Sequence, residues 1–256
     1  MNYYIHVPFC RSKCGYCAFY SEAAPVPGAV DAYLDRLEFQ FDRLEPAEPC
    51  ETVYFGGGTP TLLSEMQLER LFSMTARALR PDSETEISIE ANPETLTVPK
   101  IALLRSFASR ISLGVQSFDA RFRATLGRDC EQAALERAIE RVAAARFPHW
   151  SCDLIYAIPG QEPADFERDL ARAVALGIDH LSCYSLTPEE GARLADSLIP
   201  DEDDAARMWE LAGRCGLPRY EISNYAAPGC ECRHNRNVWR GGLLTGLGPA
   251  AAGFDG

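Results

Sequence analysis

Six short apolar, β-branched runs alternate with longer amphipathic ones, and no other feature of these 256 residues constrains the fold as much. They predict strands at 3–7, 52–55, 86–90, 111–115, 152–155 and 180–185. Between them lie stripes at helical spacing: Tyr33, Leu34, Leu37, Phe41 and Leu44; then Ala134, Leu135, Ala138, Ile139, Val142 and Ala143; then Phe166, Leu170, Ala173 and Val174. Such alternation implies parallel strands joined by helical crossovers. A doubly wound sheet and a closed or partly closed barrel both satisfy it.

Composition narrows the function classes. The chain is 46% hydrophobic and 24% charged, which suits one large globular domain, alone or with a small appendage. Its formal net charge is -12, and no run of five or more Lys/Arg occurs, so nucleic acid is not an expected partner. The acidic run Asp201, Glu202, Asp203 and Asp204 is expected at the first turn of a helix, whose N-terminus is partly positive. No signal peptide is expected from the N-terminal MNYYIHVP, and no stretch approaches 18 apolar residues. Ten cysteines without an export signal point to the cytoplasm and to thiols that are buried, catalytic or metal-binding. Membrane contact is expected only peripherally, through partners.

Three of those cysteines carry chemistry. Cys10, Cys14 and Cys17 form C-x3-C-x2-C just after the first strand. Thiolates are soft ligands suited to iron–sulfur clusters. Three of them can wrap one face of a cubane and leave its fourth iron open to a small molecule. Zinc is the alternative; a structural zinc takes four ligands, and the nearest further candidates are Cys230, Cys232 and His234. With Tyr16 just before the last cysteine, the motif resembles the signature of the radical S-adenosylmethionine (SAM) superfamily. That resemblance implies a [4Fe–4S] cluster on Cys10, Cys14 and Cys17, with SAM chelated to the open iron. It also implies an α/β fold, a partly open (β/α)6 barrel of the partial TIM-barrel type. In such proteins electron transfer from the cluster cleaves SAM to a 5′-deoxyadenosyl radical, and the protein supplies position and water exclusion.

After the second strand comes FGGGTP, residues 55–60, where glycines let the backbone approach a ligand and present free N–H groups. The superfamily has an acidic residue after two glycines here; this chain has Gly57, Gly58 and Thr59. The GGGTP form is similar to the coproporphyrinogen-oxidase-like branch. So are the segments EANP closing the third strand at Glu90, GVQSF around Gln116, LGR ending at Arg128, and DLIYAIPG opening at Asp153. Most lie at or beyond the C-terminal end of a predicted strand, the ligand-binding end of parallel α/β folds. The resemblance implies that Tyr4, Gly57 and Glu90 line the cluster-bound SAM. It further implies that Gly58, Thr59, Gln116, Arg128 and Asp153 contact its nucleoside or a second SAM, with Tyr16 beside them. An Arg128 guanidinium can fork onto a carboxylate, and a carboxylate such as Asp153, inside an apolar strand, needs partners. His6 stays open between a satisfied strand histidine and a site residue.

Within that branch the chain is similar to the HemW family of heme chaperones rather than to the oxygen-independent coproporphyrinogen III oxidases. The oxidase pattern has a fourth cysteine two residues after the third, where this chain has Phe19, and it has a segment ahead of the first strand, which here begins at Tyr3. HNRNVW, from His234 to Trp239, resembles the HNxxYW motif associated with heme handling in that family, with Val238 in place of tyrosine. The implied function is binding heme and delivering it to an acceptor protein, with His234 as candidate axial ligand and Cys232 and Cys230 as further candidates. The alternative is oxidation of a porphyrinogen through the radical; which electron donor and acceptor serve it is not implied. Family members continue into a smaller helical, winged-helix-like domain. The expected organisation is therefore a core barrel over 1–228, and over 229–256 the Gly-rich start of a truncated or missing C-terminal region.

Overall fold

The computed structural model describes residues 1–46, 48–128, 130–187, 189–193 and 201–256. In chain order the first elements are β1 (Asn2–Val7), β2 (Phe9–Cys10), β3 (Glu22–Ala23), α1 (Ala29–Phe41), β4 (Thr52–Gly57), α2 (Glu65–Leu79), β5 (Glu86–Ala91), α3 (Val98–Phe107) and β6 (Arg110–Gln116). There follow α4 (Ala120–Thr125), α5 (Gln132–Ala145), β7 (His149–Tyr156), α6 (Pro163–Ala175), β8 (His180–Ser185), α7 (Glu202–Ala212), β9 (Asn224–Ala226), α8 (Arg233–Trp239) and β10 (Leu244–Leu247). All six expected strands are present, and the class is α/β with mostly parallel pairing.

The chain forms two compact units, Met1–Lys13 with Phe19–Ile111 and Cys232–Gly256, and Cys14–Ala18 with Ser112–Glu231. In the first, the strand order is β10-β1-β4-β5, and β1 runs parallel to β10 and β4, and β4 to β5, as helical crossovers require. Tyr3, Ile5 and Val7 of β1, with Val53 and Phe55 of β4, are buried. Helix α2 starts where Ser64 and Gln67 cap each other reciprocally. On α1 the expected stripe is buried at Tyr33, Leu34, Leu37 and Phe41, while Leu44 lies past the helix end.

In the second unit β6 adjoins β7, β7 pairs parallel with β8, and β8 pairs antiparallel with β9. The stripe of α5 is buried at Leu135, Ala138, Ile139 and Val142, whereas Ala143 faces solvent. That of α6 is buried at Phe166, Leu170 and Ala173, and Val174 is exposed. The acidic run does open a helix: Asp201 caps α7 by accepting from the Asp204 N–H.

The units do not divide at residue 228. Residues 232–256 belong with the N-terminal strands, because β10 runs parallel beside β1 in the register Asn2 to Leu244. Glycine hides this strand from a propensity reading. A Cβ on Gly246 would stand 2.4 Å from the Ala252 carbonyl oxygen, so the close return of the chain depends on its absence. Among the described residues no helix is long and apolar enough to cross a membrane.

Candidate functional site

In the first unit the site is built where β1 and β4 end. Past Val7 the chain forms β2, whose Cys10 pairs with Ala23 of β3. The three glycines that end and follow β4 each admit a different wall. A Cβ on Gly56 would stand 3.0 Å from Glu90 and from the Tyr4 and Tyr54 rings. One on Gly57, which has φ +111°, would stand 2.7 Å from the His6 ring, and one on Gly58 would stand 2.7 Å from the Phe9 carbonyl oxygen. The Gly58 N–H then donates to the Val7 carbonyl at 2.9 Å, tying the glycine turn to the chain that leads into Cys10. Thr59 is buried, with Oγ1 3.8 Å from Cys10 Sγ.

Behind this turn runs a polar chain. His6 Nε2 lies 2.9 Å from the Tyr20 carbonyl oxygen, which can only accept, so Nε2 carries the proton and donates. In the neutral ring Nδ1 then accepts from the Tyr4 hydroxyl at 3.1 Å. His6 is thus a satisfied histidine that holds the loop after the cysteines. Tyr54 donates to Glu90 Oε1 at 2.9 Å. Burial, with the Glu90 carboxylate nearby, holds the Tyr4 phenol well above its ordinary value.

In the second unit Cys14 and Cys17 close a tight turn, Cys17 N–H donating to the Cys14 carbonyl at 3.3 Å, and Gly15 N–H donates to the Leu126 carbonyl at 2.9 Å. Tyr16 packs on Phe122, Leu126, Ile155, Ile158 and Leu186. Burial raises its phenol, and Arg128 opposes the rise. Arg128 donates to the Gly114 carbonyl at 2.7 Å and points Nη1 at Cys14 Sγ, 3.9 Å away.

Asp153 stands in the middle of β7. Ser112 of β6 donates to its Oδ1 at 2.8 Å, so the Ser112–Ser151 contact at 2.7 Å is a donation from Ser151. Burial raises the Asp153 carboxyl, and hydrogen bonds from Ser112 and Ser182, then the Arg128 charge, act against it. The three serines were missed from sequence. The signal was there: each interrupts an apolar strand, Ser151 on the strand of Asp153 itself and Ser112 and Ser182 on its two neighbours. Gln116 ends β6 at φ +67°, a left-handed conformation that costs a non-glycine residue about 1–3 kcal/mol.

His234 is held at the start of the first unit's strands. Thr52 gives its hydroxyl proton to Asn2 Oδ1 at 2.8 Å, so its oxygen accepts from His234 Nδ1 at 2.7 Å. The His234 backbone N–H donates to Glu86 at 3.0 Å. Asn2, Thr52 and Glu86 are the first residues of β1, β4 and β5, so His234 lies at the opposite end of these strands from Cys10 and Gly58. Its ring stacks on Tyr54 at 5.0 Å, is 5% exposed, and is pushed down to about 4 by burial. An axial ligand needs an accessible lone pair with flat open space around it; here the ring is walled in by Thr52 and Tyr54. Cys232, beside Glu86 at 3.4 Å, is likewise buried, its thiol raised to about 12 by burial and then by the carboxylate.

The sequence profile of the radical SAM superfamily matches residues 4–173. The heme chaperone HemW of Mycobacterium tuberculosis (strain ATCC 25618 / H37Rv) is 39% identical over 272 residues, covering 99% of this chain and 69% of that protein. The chain belongs to the HemW family of the radical SAM superfamily. HemW of Bacillus subtilis (strain 168) is 34% identical, and HemW of Escherichia coli (strain K12) 33%, each over 99% of this chain and 70% of the relative. Among solved structures, coproporphyrinogen III oxidase (HemN) from Escherichia coli matches with a TM-score of 0.85 at 23% identity. That match covers 99% of this chain and 64% of the oxidase chain, and it shows the shared fold.

Radical SAM membership implies a [4Fe–4S] cluster and SAM. The donor set of this HemW-family chain fits them. Cys10, Cys14 and Cys17 are partly exposed and lie within eight residues of one another. The cradle of Gly57 and Gly58 is one that a Cβ would fill.

Proposed function

We propose that this protein binds heme and passes it to an acceptor protein, as a HemW-type radical SAM protein carrying one [4Fe–4S] cluster on Cys10, Cys14 and Cys17. The observation that carries this reading is the 39% identity to a heme chaperone HemW along 99% of the chain. Phe19 supports it: at the position where the oxidase pattern has a cysteine stands an aromatic residue that is 71% exposed. The likeness to the oxidase structure carries fold alone. The cytoplasm, which keeps thiols reduced, suits a chain with ten cysteines.

When bound, cluster and SAM together supply one-electron cleavage of a sulfonium. The chain's own residues bind and orient. Gly57 and Gly58 let backbone approach SAM; Thr59 fixes Cys10; Tyr4 and Glu90 line the amino-acid end. In the second unit Arg128 offers a cation beside Cys14, and Asp153 accepts from a ribose hydroxyl or an ammonium. Gln116, held in its strained turn, presents an amide at the strand end. We assign the heme ligand to none of His234, Cys232 and Cys230.

The test is anaerobic reconstitution with iron and sulfide, then heme titration. The expected results are an iron–sulfur chromophore lost in Cys14→Ala and a saturable Soret band. Incubation with coproporphyrinogen, dithionite and SAM discriminates further: turnover to protoporphyrinogen would overturn the chaperone reading.

A further inference from the structure

Three metal-binding side chains converge at the start of β7 and β8, remote in sequence from the cysteine motif. The parallel register of β7 and β8, Ser151 beside His180, puts His149 and Trp150 next to Asp179. The antiparallel register of β8 and β9, His180 beside Ala226, brings the Ala227 N–H to the Asp179 carbonyl at 2.9 Å. There the chain reverses over Ala227, Pro228, Gly229 and Cys230, with Gly229 at φ +83° and Cys230 N–H donating to the Ala227 carbonyl at 2.9 Å. Proline followed by a positive-φ glycine is the type II turn pattern, and it returns Cys230 to Asp179.

We propose that His149, Asp179 and Cys230 bind one divalent transition-metal ion, with zinc as the fitting occupant. One ligand atom from each lies within 4.8 Å of the other two. Zinc bonds near 2.0–2.3 Å place tetrahedral ligands roughly 3.3–3.7 Å apart, so small side-chain rotations suffice. A thiolate and a carboxylate supply two negative charges to match the ion, and imidazole with thiolate selects against the all-oxygen preference of calcium and magnesium. The carboxylate is already aimed: Trp150 N–H donates to Oδ1 at 3.2 Å, and Oδ2 is 2.5 Å from His149 Nδ1. His149 and Asp179 are 31% and 24% exposed, leaving access for the ion and a fourth position for water.

The ordinary alternative is an Asp179–His149 pair with a bystander thiol. The experiment takes the full chain with its iron–sulfur cluster reconstituted, incubates it with zinc chloride, dialyses, and measures zinc and iron by elemental analysis. One zinc per chain is expected, lost in Cys230→Ser and in His149→Gln while the iron content stays unchanged. As a second readout, the chain with Cys10, Cys14 and Cys17 all changed to serine is titrated with cobalt(II). A thiolate-to-cobalt band that zinc displaces, and that vanishes with Cys230→Ser, supports the site. No retained zinc, or zinc unaffected by Cys230→Ser, overturns it and leaves only the His149–Asp179 hydrogen bond.

Discussion

Arg128 divides its guanidinium between two acceptors, the Gly114 carbonyl at 2.7 Å and the Cys14 sulfur at 3.9 Å. The β6 strand and the cysteine loop are thereby tied to one cation, whose charge also counters the rise that burial gives the Tyr16 phenol. Under the cluster assignment proposed above, this cation stands beside a ligating sulfur and can receive a carboxylate in a fork.

Replacing Arg128 tests that placement. Hydrogen bonds to charged groups are worth about 1.5–3 kcal/mol, so Arg128→Ala should weaken SAM binding roughly ten- to hundredfold. Arg128→Lys, which keeps charge but lacks the fork, should fall between. Equilibrium dialysis of SAM against the reconstituted protein measures both.

The glycine cradle predicts a stability difference between two alanines. Gly57 and Gly160 both have positive φ, +111° and +80°, but only Gly57 has a neighbour within 4 Å, the His6 ring at 2.7 Å. Gly160→Ala should therefore cost only backbone strain, about 1–3 kcal/mol. Gly57→Ala should cost more and displace His6 from the Tyr20 carbonyl. Urea unfolding of the two variants reads the difference, and equal losses would contradict the steric account.

Asp153 predicts opposite effects on stability and binding. Its carboxyl is raised above the unfolded value, so the native state holds the proton more tightly over that window. Stability contributed by this group is present at low pH and is lost as pH rises through the folded value. Asp153→Asn should remove that loss, raising Tm at neutral pH, with the gain disappearing toward acid. Asp169, also raised by burial, is untouched by the change. SAM affinity of the same variant should fall.

His234 predicts the acid limb of stability. A ring held at about 4 when folded and near 6.5 when unfolded stays neutral in the native state. The unfolded chain therefore binds the extra proton first. Stability is full above roughly 6.5 and declines as pH falls toward 4, by roughly 3 kcal/mol. His234→Gln should flatten that decline in pH-dependent unfolding while leaving the Soret band of bound heme in place.

Much of the fold was legible because it is encoded locally. All six expected strands appeared, and Asp201 caps α7 as helix electrostatics required. The glycines that end and follow β4 were legible for the same reason: they are close in sequence to the turn they form. Their partners were less so. The serines around Asp153 come from β6, β7 and β8, and only strand register brings them together. Stripe edges such as Val174 and Ala143 read as core by period, yet burial depends on how far the neighbouring layer extends.

The sequence by itself determined which segments are strands, where the cysteine motif lies, and to which family the chain belongs, since periodicity, spacing and motif are short-range properties. Tertiary structure alone decided the fate of Cys230, Cys232 and His234, five residues of chain from first to last. His234 and Cys232 are sealed against Thr52 and Glu86 at the start of the first unit's strands, while Cys230 turns back to Asp179 and His149. Burial and partnership depend on registers between strands far apart in the chain, and no local pattern carries that information.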